Sequence, residues 1–136
     1  MEFMVMDGQR LIATRALEKN LQLADVLDVC KVISKTSNFD INFNYLHDFR
    51  RVKEVEGGVL DYQNLADFAV SIASTSTANV VFIIADEAHM LRKYIEGHIL
   101  MASESNRHYW IFTDETKEQA FNLVGLKKSP FIDIAR

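Results

Sequence analysis

The sequence feature that most constrains the fold is the apolar run from Val80 to Ala85, which lies within the stretch N-V-V-F-I-I-A-D. It is the longest unbroken apolar run in the chain, and β-branched and aromatic residues dominate it. A strand that is apolar on both faces is typical of a parallel sheet that helices cover on both sides. Asn79–Asp86 is therefore predicted to be a central, fully buried strand.

The same stretch looks like a nucleotide-hydrolysis motif. Val81 to His89 reads V-F-I-I-A-D-E-A-H, like the strand and D-E-A-H box of a helicase, whose carboxylates hold Mg²⁺ and orient water. That chemistry also needs a phosphate-binding loop, G-x-x-x-x-G-K-[ST], and the chain has none, because Gly57-Gly58 is followed by Val59-Leu60-Asp61. Asp86 and Glu87 are instead predicted to begin a helix, where acidic side chains are favoured.

Length and composition indicate one globular domain. The 136 residues are 49% hydrophobic and 25% charged, and the net charge of −4 disfavours non-specific nucleic-acid binding. Cys30 is the only cysteine, so an internal disulfide is excluded and a reducing compartment is favoured. The N-terminus lacks signal-peptide features, and no apolar run is long enough to span a membrane. We therefore expect a cytoplasmic protein.

Periodicity predicts strands that alternate with helices. The predicted strands are Met1–Asp7, Arg10–Leu17, Ile41–Phe49, Asn79–Asp86 and Arg107–Thr113, with the first two forming a hairpin. The predicted helices are Leu21–Lys35, Asp61 to about Ser74, about Glu87 to Ser103, and Glu115–Val124. The order β-β-α-β-α-β-α-β-α predicts an α/β fold, with a mostly parallel mixed sheet, an antiparallel N-terminal edge and four helices. Residues 1–126 would form the domain, and 127–136 a C-terminal tail.

Each predicted helix carries an apolar stripe. Asn20, Asp61 and Asp114 are the predicted N-caps of the first, second and fourth helices, and Gly125 is predicted to end the fourth. The stripe of the third helix is Leu91, Tyr94, Ile95, His98 and Ala102, and that of the fourth is Ala120, Phe121 and Val124. Further apolar residues widen the arc of the third helix: Met90, Ile99, Leu100 and Met101. This helix is therefore expected either to bury a second face against a partner or ligand, or to sit in a deeper groove.

Polar residues are predicted to gather at the carboxyl ends of the parallel strands, where open α/β sheets usually bind ligands. They are His47, Asp48, Arg50, Asp86, Glu87, His89 and Asp114. A His–Asp pair with a further carboxylate suits acid–base chemistry or metal binding. However, the spacing of Asp86 and His89 is the nearest approach to a metal motif, and the chain has no G-x-S-x-G elbow. No catalytic, cofactor-binding or metal-binding residue is therefore predicted.

Three stretches resemble those of a known family. They are Leu46-His47-Asp48-Phe49-Arg50 with Val52, the central strand followed by Met90-Leu91-Arg92-Lys93-Tyr94, and Trp110-Ile111-Phe112-Thr113-Asp114 with Glu118 and Ala120. Over roughly residues 9–126, the chain resembles the STAS domain superfamily of anti-sigma-factor antagonists, and within it the SpoIIAA-like family of small bacterial proteins.

The resemblance implies a protein-binding regulatory switch. STAS antagonists take a phosphate on a serine at the start of the helix after the third strand, where it adds negative charge to the partner-binding surface. This chain has no serine or threonine between Arg50 and Ser71, so the phospho-switch is not expected here. SpoIIAA-like domains also resemble the CRAL-TRIO lipid-carrier fold, which implies an apolar-ligand pocket as an alternative.

Two hypotheses for the function follow. The first is a non-enzymatic, STAS-like regulatory or protein-interaction domain that binds a protein partner or forms a homodimer. The second is a carrier or sensor of a small amphipathic ligand at the carboxyl rim of the sheet, where Arg50 and Arg51 hold an anionic head group. No cofactor is expected. The residues assigned to a ligand or partner surface are Asp48, Arg50, Arg51, Asp61, Asp86, Met90, Tyr94 and Asp114.

Overall fold

The structure, a computed structural model, describes residues 1–73 and 76–131. Its strands are β1 (Glu2–Met6), β2 (Leu11–Arg15), β3 (Asn20–Gln22), β4 (Asn44–Phe49), β5 (Glu54–Glu56), β6 (Asn79–Ile84) and β7 (His108–Thr113). Its α-helices are α1 (Leu23–Ser34), α2 (Val59–Ala73), α3 (His89–Met101) and α4 (Lys117–Leu123), and short 3-10 helices span Asp7–Gln9 and Asp114–Thr116.

Five strands form the main sheet, in the order β1-β2-β4-β6-β7. The β1–β2 pair is antiparallel, and the other three pairs are parallel. The predicted α/β class, with a mixed sheet, an antiparallel N-terminal edge and four helices, is therefore confirmed. The prediction that β6 is a central strand is also confirmed, because β6 lies between β4 and β7.

Both faces of β6 are buried, as its unbroken apolar run predicts. On one face, Val80, Phe82 and Ile84 join the larger apolar core, in which α1 and α3 also take part. On the other face, Val81 and Ile83 pack with residues of α4. Of the predicted inward residues of the third and fourth helices, Leu91, Ile95, Ala102, Ala120, Phe121 and Val124 are buried, whereas Tyr94 and His98 are partly buried. The sheet is thus covered on both sides, with three helices on one face.

A second, two-stranded sheet of β3 and β5 was not predicted from the sequence. Leu21 of β3 pairs with Val55 of β5 in parallel register. The predicted N-cap at Asn20 is wrong, because Asn20 belongs to β3 and α1 begins only at Leu23. The predicted loop from Arg50 to Leu60 likewise contains β5. Each strand has three residues, and such a segment is too short to show a hydrophobic period.

The starts of α2 and α3 differ from the predictions. α2 begins at Val59, so Asp61 lies in its first turn, where its carboxylate accepts a hydrogen bond from the Gly58 amide at 3.1 Å. α3 begins at His89 instead of Glu87, because the Ala88 amide donates to the Ala85 carbonyl in a tight turn. Asp86 lies in that turn and accepts a hydrogen bond from the Glu115 amide at 3.3 Å.

The two ends of the α4 region also have clear local causes. Thr113, and not the predicted Asp114, caps the 3-10 turn that precedes α4, through a reciprocal capping box with Thr116. Gly125 has a φ of 82°, and its amide donates to the Asn122 carbonyl at 3.1 Å. The predicted terminating glycine is therefore confirmed, since a left-handed residue at this position favours glycine.

Part of the predicted C-terminal tail packs against the domain. Phe131 is buried, and the guanidinium carbon of Arg15 lies 4.9 Å from the centre of its ring. Residues 132–136 lie outside the described residues, as do Ser74 and Thr75, which were predicted to end the second helix and begin a polar connection. Ser76, from the same connection, is buried and donates a hydrogen bond to the Ile41 carbonyl at 2.6 Å.

Gly97 allows α2 and α3 to approach closely. The Tyr62 hydroxyl of α2 donates a hydrogen bond to the Tyr94 carbonyl of α3, and a Cβ at Gly97 would clash with that hydroxyl oxygen. The ring carbon Cζ of Tyr62 would be 3.5 Å from the same Cβ, which is an ordinary contact. The hydroxyl oxygen is therefore the one atom of Tyr62 with which a Cβ at position 97 would clash.

We predict strong coupling between Gly97→Ala and Tyr62→Phe. Alanine at position 97 should raise the free energy of unfolding by about 1 kcal/mol through its helix propensity. When Tyr62 is unchanged, however, the alanine Cβ also displaces the tyrosine hydroxyl and breaks its hydrogen bond. Gly97→Ala should therefore be neutral or destabilising alone, and stabilising by about 1 kcal/mol in the Tyr62→Phe background. Urea unfolding of the four proteins measures this coupling, and additive effects would contradict the predicted clash.

Candidate functional site

An apolar cavity of about 110 Å³ lies between the sheet and helices α1, α2 and α3. The residues of its sheet wall alternate along the strands, because every second side chain points to the same face. They are Tyr45, His47 and Phe49 of β4, Val80 and Phe82 of β6, and Tyr109 of β7. The His47 ring stacks on Phe82 at 5.0 Å and on Tyr45 at 5.6 Å.

The three helices complete the cavity with further aromatic and apolar side chains. Their residues include Cys30 of α1, Tyr62 and Phe68 of α2, and Tyr94 and His98 of α3. All four tyrosines of the chain line the cavity. Tyr62 and Tyr94 meet edge to face at 5.7 Å, as do His98 and Tyr109 at 6.3 Å. The cavity is therefore lined by rings from five different elements of the fold.

Arg107 brings a positive charge to this apolar site. It precedes β7 by one residue and lies on the same face as Tyr109, and its guanidinium carbon sits 4.8 Å from the centre of the Tyr45 ring. Its Nε and Nη2 atoms are buried, and neither has a hydrogen-bond partner among the described residues. Buried guanidinium nitrogens are normally paired, because their desolvation is otherwise uncompensated.

Two histidines in the cavity are held neutral. Burial, with a further contribution from the charge of Arg107, lowers the pKa of His98 to about 4. Burial also lowers the pKa of His47 to about 3, with contributions from Arg107 and His98. The Nδ1 atom of His47 shares a hydrogen bond of 2.6 Å with the Thr14 hydroxyl on the neighbouring strand. At neutral pH, Arg107 is thus the cation that this site offers to a ligand.

Cys30 and Tyr45 of the cavity wall are held in their protonated, neutral forms. Burial raises the pKa of the Cys30 thiol to about 11 and that of the Tyr45 hydroxyl to about 12, although the charge of Arg107 opposes both shifts. A thiol with so high a pKa is a poor nucleophile, because the thiolate is the reactive form.

A separate, outer groove of about 460 Å³ lies beside the start of β7. This outer groove runs along the C-terminal end of α3 and includes Leu100 and Trp110 in its walls. Arg107 and Tyr109 line both the outer groove and the inner cavity. These two residues therefore mark the boundary between the buried site and the surface.

The predicted rim residues lie around a separate polar pocket of about 360 Å³ at the carboxyl edge of the sheet. This rim pocket is lined by Asp48, Arg50, Arg51, Asp86 and Asp114, together with Arg15, Ala85 and Glu87. The structure thus brings together five of the eight residues assigned to a ligand or partner surface. His47 lies in the inner cavity and not at the rim, because it faces the opposite side of the sheet from Asp48.

Arg50 is fully engaged within the rim pocket. Its Nε and Nη2 atoms donate to the two carboxylate oxygens of buried Asp48, at 3.0 and 2.8 Å. Its Nη1 atom donates to Asp114 at 3.1 Å. This hydrogen bond from Arg50 is the main cause of the lowered pKa of Asp114. Arg50 therefore ties β4 to the segment after β7, while Arg51 retains a buried Nη1 atom with no partner among the described residues.

The remaining three predicted surface residues lie apart from the rim pocket. Asp61 is in the first turn of α2, Met90 is exposed on α3, and Tyr94 lines the inner cavity. Sequence analysis placed Arg107 at the start of a strand but assigned it no function. Its spacing of two residues from Tyr109 and four from Ile111 was the available signal, since that alternation puts it on the face that α1, α2 and α3 cover.

No group of three or more His, Cys, Asp or Glu side chains in the described ranges 1–73 and 76–131 is placed to hold a metal ion. Within the same ranges, no helix has the length and apolar character needed to cross a membrane.

No protein-family model matches this chain, and comparisons with curated proteins and with solved structures likewise found no match.

We predict that acid destabilises this protein through His47 and His98. Their pKa values are lowered in the folded state, so between pH 7 and pH 5 the unfolded chain binds protons that the folded chain does not. The free energy of unfolding should therefore fall by about 3 kcal/mol over that interval, and further as the pH approaches 4. Urea unfolding at several pH values measures the loss. His98→Gln should remove about half of it, whereas equal stability at pH 7 and pH 5 would contradict the neutral, buried state of both rings.

Proposed function

We propose that this domain binds a small amphipathic anion, with the apolar body of the ligand in the inner cavity and its acidic group on Arg107, and that it acts as a carrier or sensor of that ligand. The observation that supports this most strongly is the pair of buried Arg107 nitrogens that have no partner among the described residues, beside an apolar cavity. A concave apolar site with a few polar groups is typical of small-molecule binding.

The chain contains its own example of how such an arginine is paired. Arg50 uses Nε and Nη2 to bind both oxygens of the Asp48 carboxylate. The same two atoms are the ones left unpaired in Arg107. A guanidinium edge of this kind matches a planar carboxylate, with two parallel hydrogen bonds. The geometry therefore favours a ligand carboxylate, bound to Arg107 as Asp48 is bound to Arg50.

The surroundings of Arg107 do not supply that anion. No carboxylate of the described residues forms an ion pair with Arg107, and the nearby histidines are neutral. A buried charge without a partner lowers the stability of the protein. When an anionic ligand binds, the charge gains its partner and this cost is removed. Polar groups that lower the stability of the unliganded protein are common in binding sites. This reasoning supports a ligand site over a purely structural role for Arg107.

This proposal retains the ligand class expected from the sequence but places the ligand elsewhere. The sequence hypothesis put an anionic head group at the rim, on Arg50 and Arg51. Arg50 already binds Asp48 and Asp114, so its hydrogen-bonding edge is occupied. Four carboxylates also surround the rim pocket and would repel an anion. The inner cavity is therefore the better site for the same kind of ligand.

We predict that Arg107→Met weakens the binding of small apolar carboxylates by about 10- to 100-fold, the loss expected for charge-assisted hydrogen bonds. Without ligand, it should not reduce stability, since it removes two buried nitrogen atoms that have no partner among the described residues. Arg50→Met is the matched contrast. It should destabilise the domain by about 3 kcal/mol, because Asp48 would remain buried without its partner.

Calorimetric titration with benzoate and hexanoate measures the affinity, and urea unfolding measures the stability. Arg92→Met, which changes an α3 arginine outside the cavity wall, is the control for a change of net charge. Failure of the wild type to bind either acid, together with a clear loss of stability in Arg107→Met, would contradict the proposal and indicate a structural arginine.

A second candidate is the non-enzymatic, STAS-like regulatory or interaction domain, acting through a protein partner or a homodimer. The exposed apolar residues beside the outer groove favour it, since Leu100 is 75% exposed and Trp110 is 43% exposed. If this surface mediates a homodimer, Trp110→Ser should shift the protein towards monomer in sedimentation velocity. A wild-type protein that is monomeric up to high micromolar concentration would exclude the homodimer.

A further inference from the structure

The volume of the inner cavity limits the size of the ligand body. The cavity measures about 110 Å³. For comparison, an engineered protein cavity of about 150 Å³ binds benzene. A single six-membered ring is therefore near the upper limit of what the site can enclose without rearrangement. A long acyl chain would exceed it, because close-packed protein interiors accommodate extra methylenes poorly.

The walls of the cavity favour an aromatic ring over an aliphatic one. Phe82 and Tyr109 contribute rings from the sheet, while Tyr62, Phe68 and Tyr94 contribute rings from the helices. The edge-to-face contact of Tyr62 with Tyr94 shows that rings here already meet in the geometry that aromatic pairs prefer. An aromatic ligand gains such contacts with several walls, in addition to the burial of its apolar area.

The position of Arg107 determines where the acidic group would lie. Arg107 and Tyr109 line both the inner cavity and the outer groove, so they stand where the buried site meets the surface. A ring inside the cavity would thus place a short acidic substituent beside Arg107, whose Nε and Nη2 atoms are buried and have no partner among the described residues. The outer groove of about 460 Å³, which Arg107 also lines, offers further room for the carboxylate.

From the volume, the aromatic walls and the placement of Arg107, we infer that the ligand is an aromatic monocarboxylate with one ring, of the benzoate or phenylacetate class. This inference rests on the function proposed above and specifies its ligand.

Calorimetric titration with four probes tests it: benzoate, cyclohexanecarboxylate, dodecanoate and benzamide. Benzoate should bind about two- to tenfold more tightly than cyclohexanecarboxylate, which has the same ring size but no π-system. Dodecanoate should bind at least about tenfold more weakly than benzoate, because its chain exceeds the cavity. Benzamide should also bind at least about tenfold more weakly, because it is an uncharged analogue of nearly the same shape.

The outcomes separate this inference from the proposal on which it depends. If no carboxylate binds, the proposed function itself fails. If cyclohexanecarboxylate or dodecanoate binds as tightly as benzoate, and Arg107→Met weakens that binding, the proposed function stands and the aromatic class is overturned. If benzamide binds as tightly as benzoate, the role of Arg107 as the anion partner is overturned.

A substitution in the cavity wall provides an independent check. Tyr109→Leu should reduce the preference for benzoate over cyclohexanecarboxylate to less than about twofold, because it removes a ring next to Arg107. Phe68→Leu, on the helix side, serves the same purpose if Tyr109→Leu does not fold. A preference that is unchanged in a folded variant would contradict the assignment of that ring to the ligand site.

Discussion

The alternation of side chains across the central sheet is the constraint on which the other features depend. Consecutive residues of a strand face opposite sides. His47 therefore lies among aromatic rings under the helices, whereas Asp48 lies on the other side and binds Arg50. Parallel register carries the same division from β4 to β6 and β7, where Phe82 pairs with Ile111. One face of the sheet thus holds the inner cavity, and the other packs against α4.

The layer between the sheet and helices α1, α2 and α3 contains more ionisable side chains than stability alone would require. A core of similar volume filled with aliphatic side chains would avoid the desolvation of Arg107, His47 and His98. In this layer the three polar side chains occur together around one cavity, and Arg107 also lines the outer groove. Perturbed titratable groups that cluster in a cleft are typical of functional sites, and a structural role for each taken separately does not explain why they share one space.

The sequence was sufficient to predict the fold class but not the site. The run at Val80–Ala85 and the stripe containing Leu91 and Ile95 depend on burial alone, which leaves an unbroken apolar run in the first case and a periodic stripe in the second. The β3–β5 pair leaves none, because each strand has three residues. The cavity is also invisible to periodicity, since its volume depends on how side chains from three helices and the sheet fit together. Arg107 fits the alternation that puts Tyr109 and Ile111 on the face covered by α1, α2 and α3. A cation after a polar loop is more often solvated, however, and so no function was assigned to it.

The two arginines illustrate why residue type alone does not identify a binding site. Arg50 follows an aspartate at the carboxyl end of a strand, a position where ligands are expected, but the carboxylate it binds belongs to its own chain. Arg107 lies near the opposite end of its strand, where no ligand was expected, and its equivalent nitrogens are buried and unpaired among the described residues. The difference lies in whether the described residues supply an anion. An internal partner makes Arg50 a structural link, whereas Arg107 has none among the described residues, and this difference is what supports a ligand-binding role for Arg107 rather than Arg50.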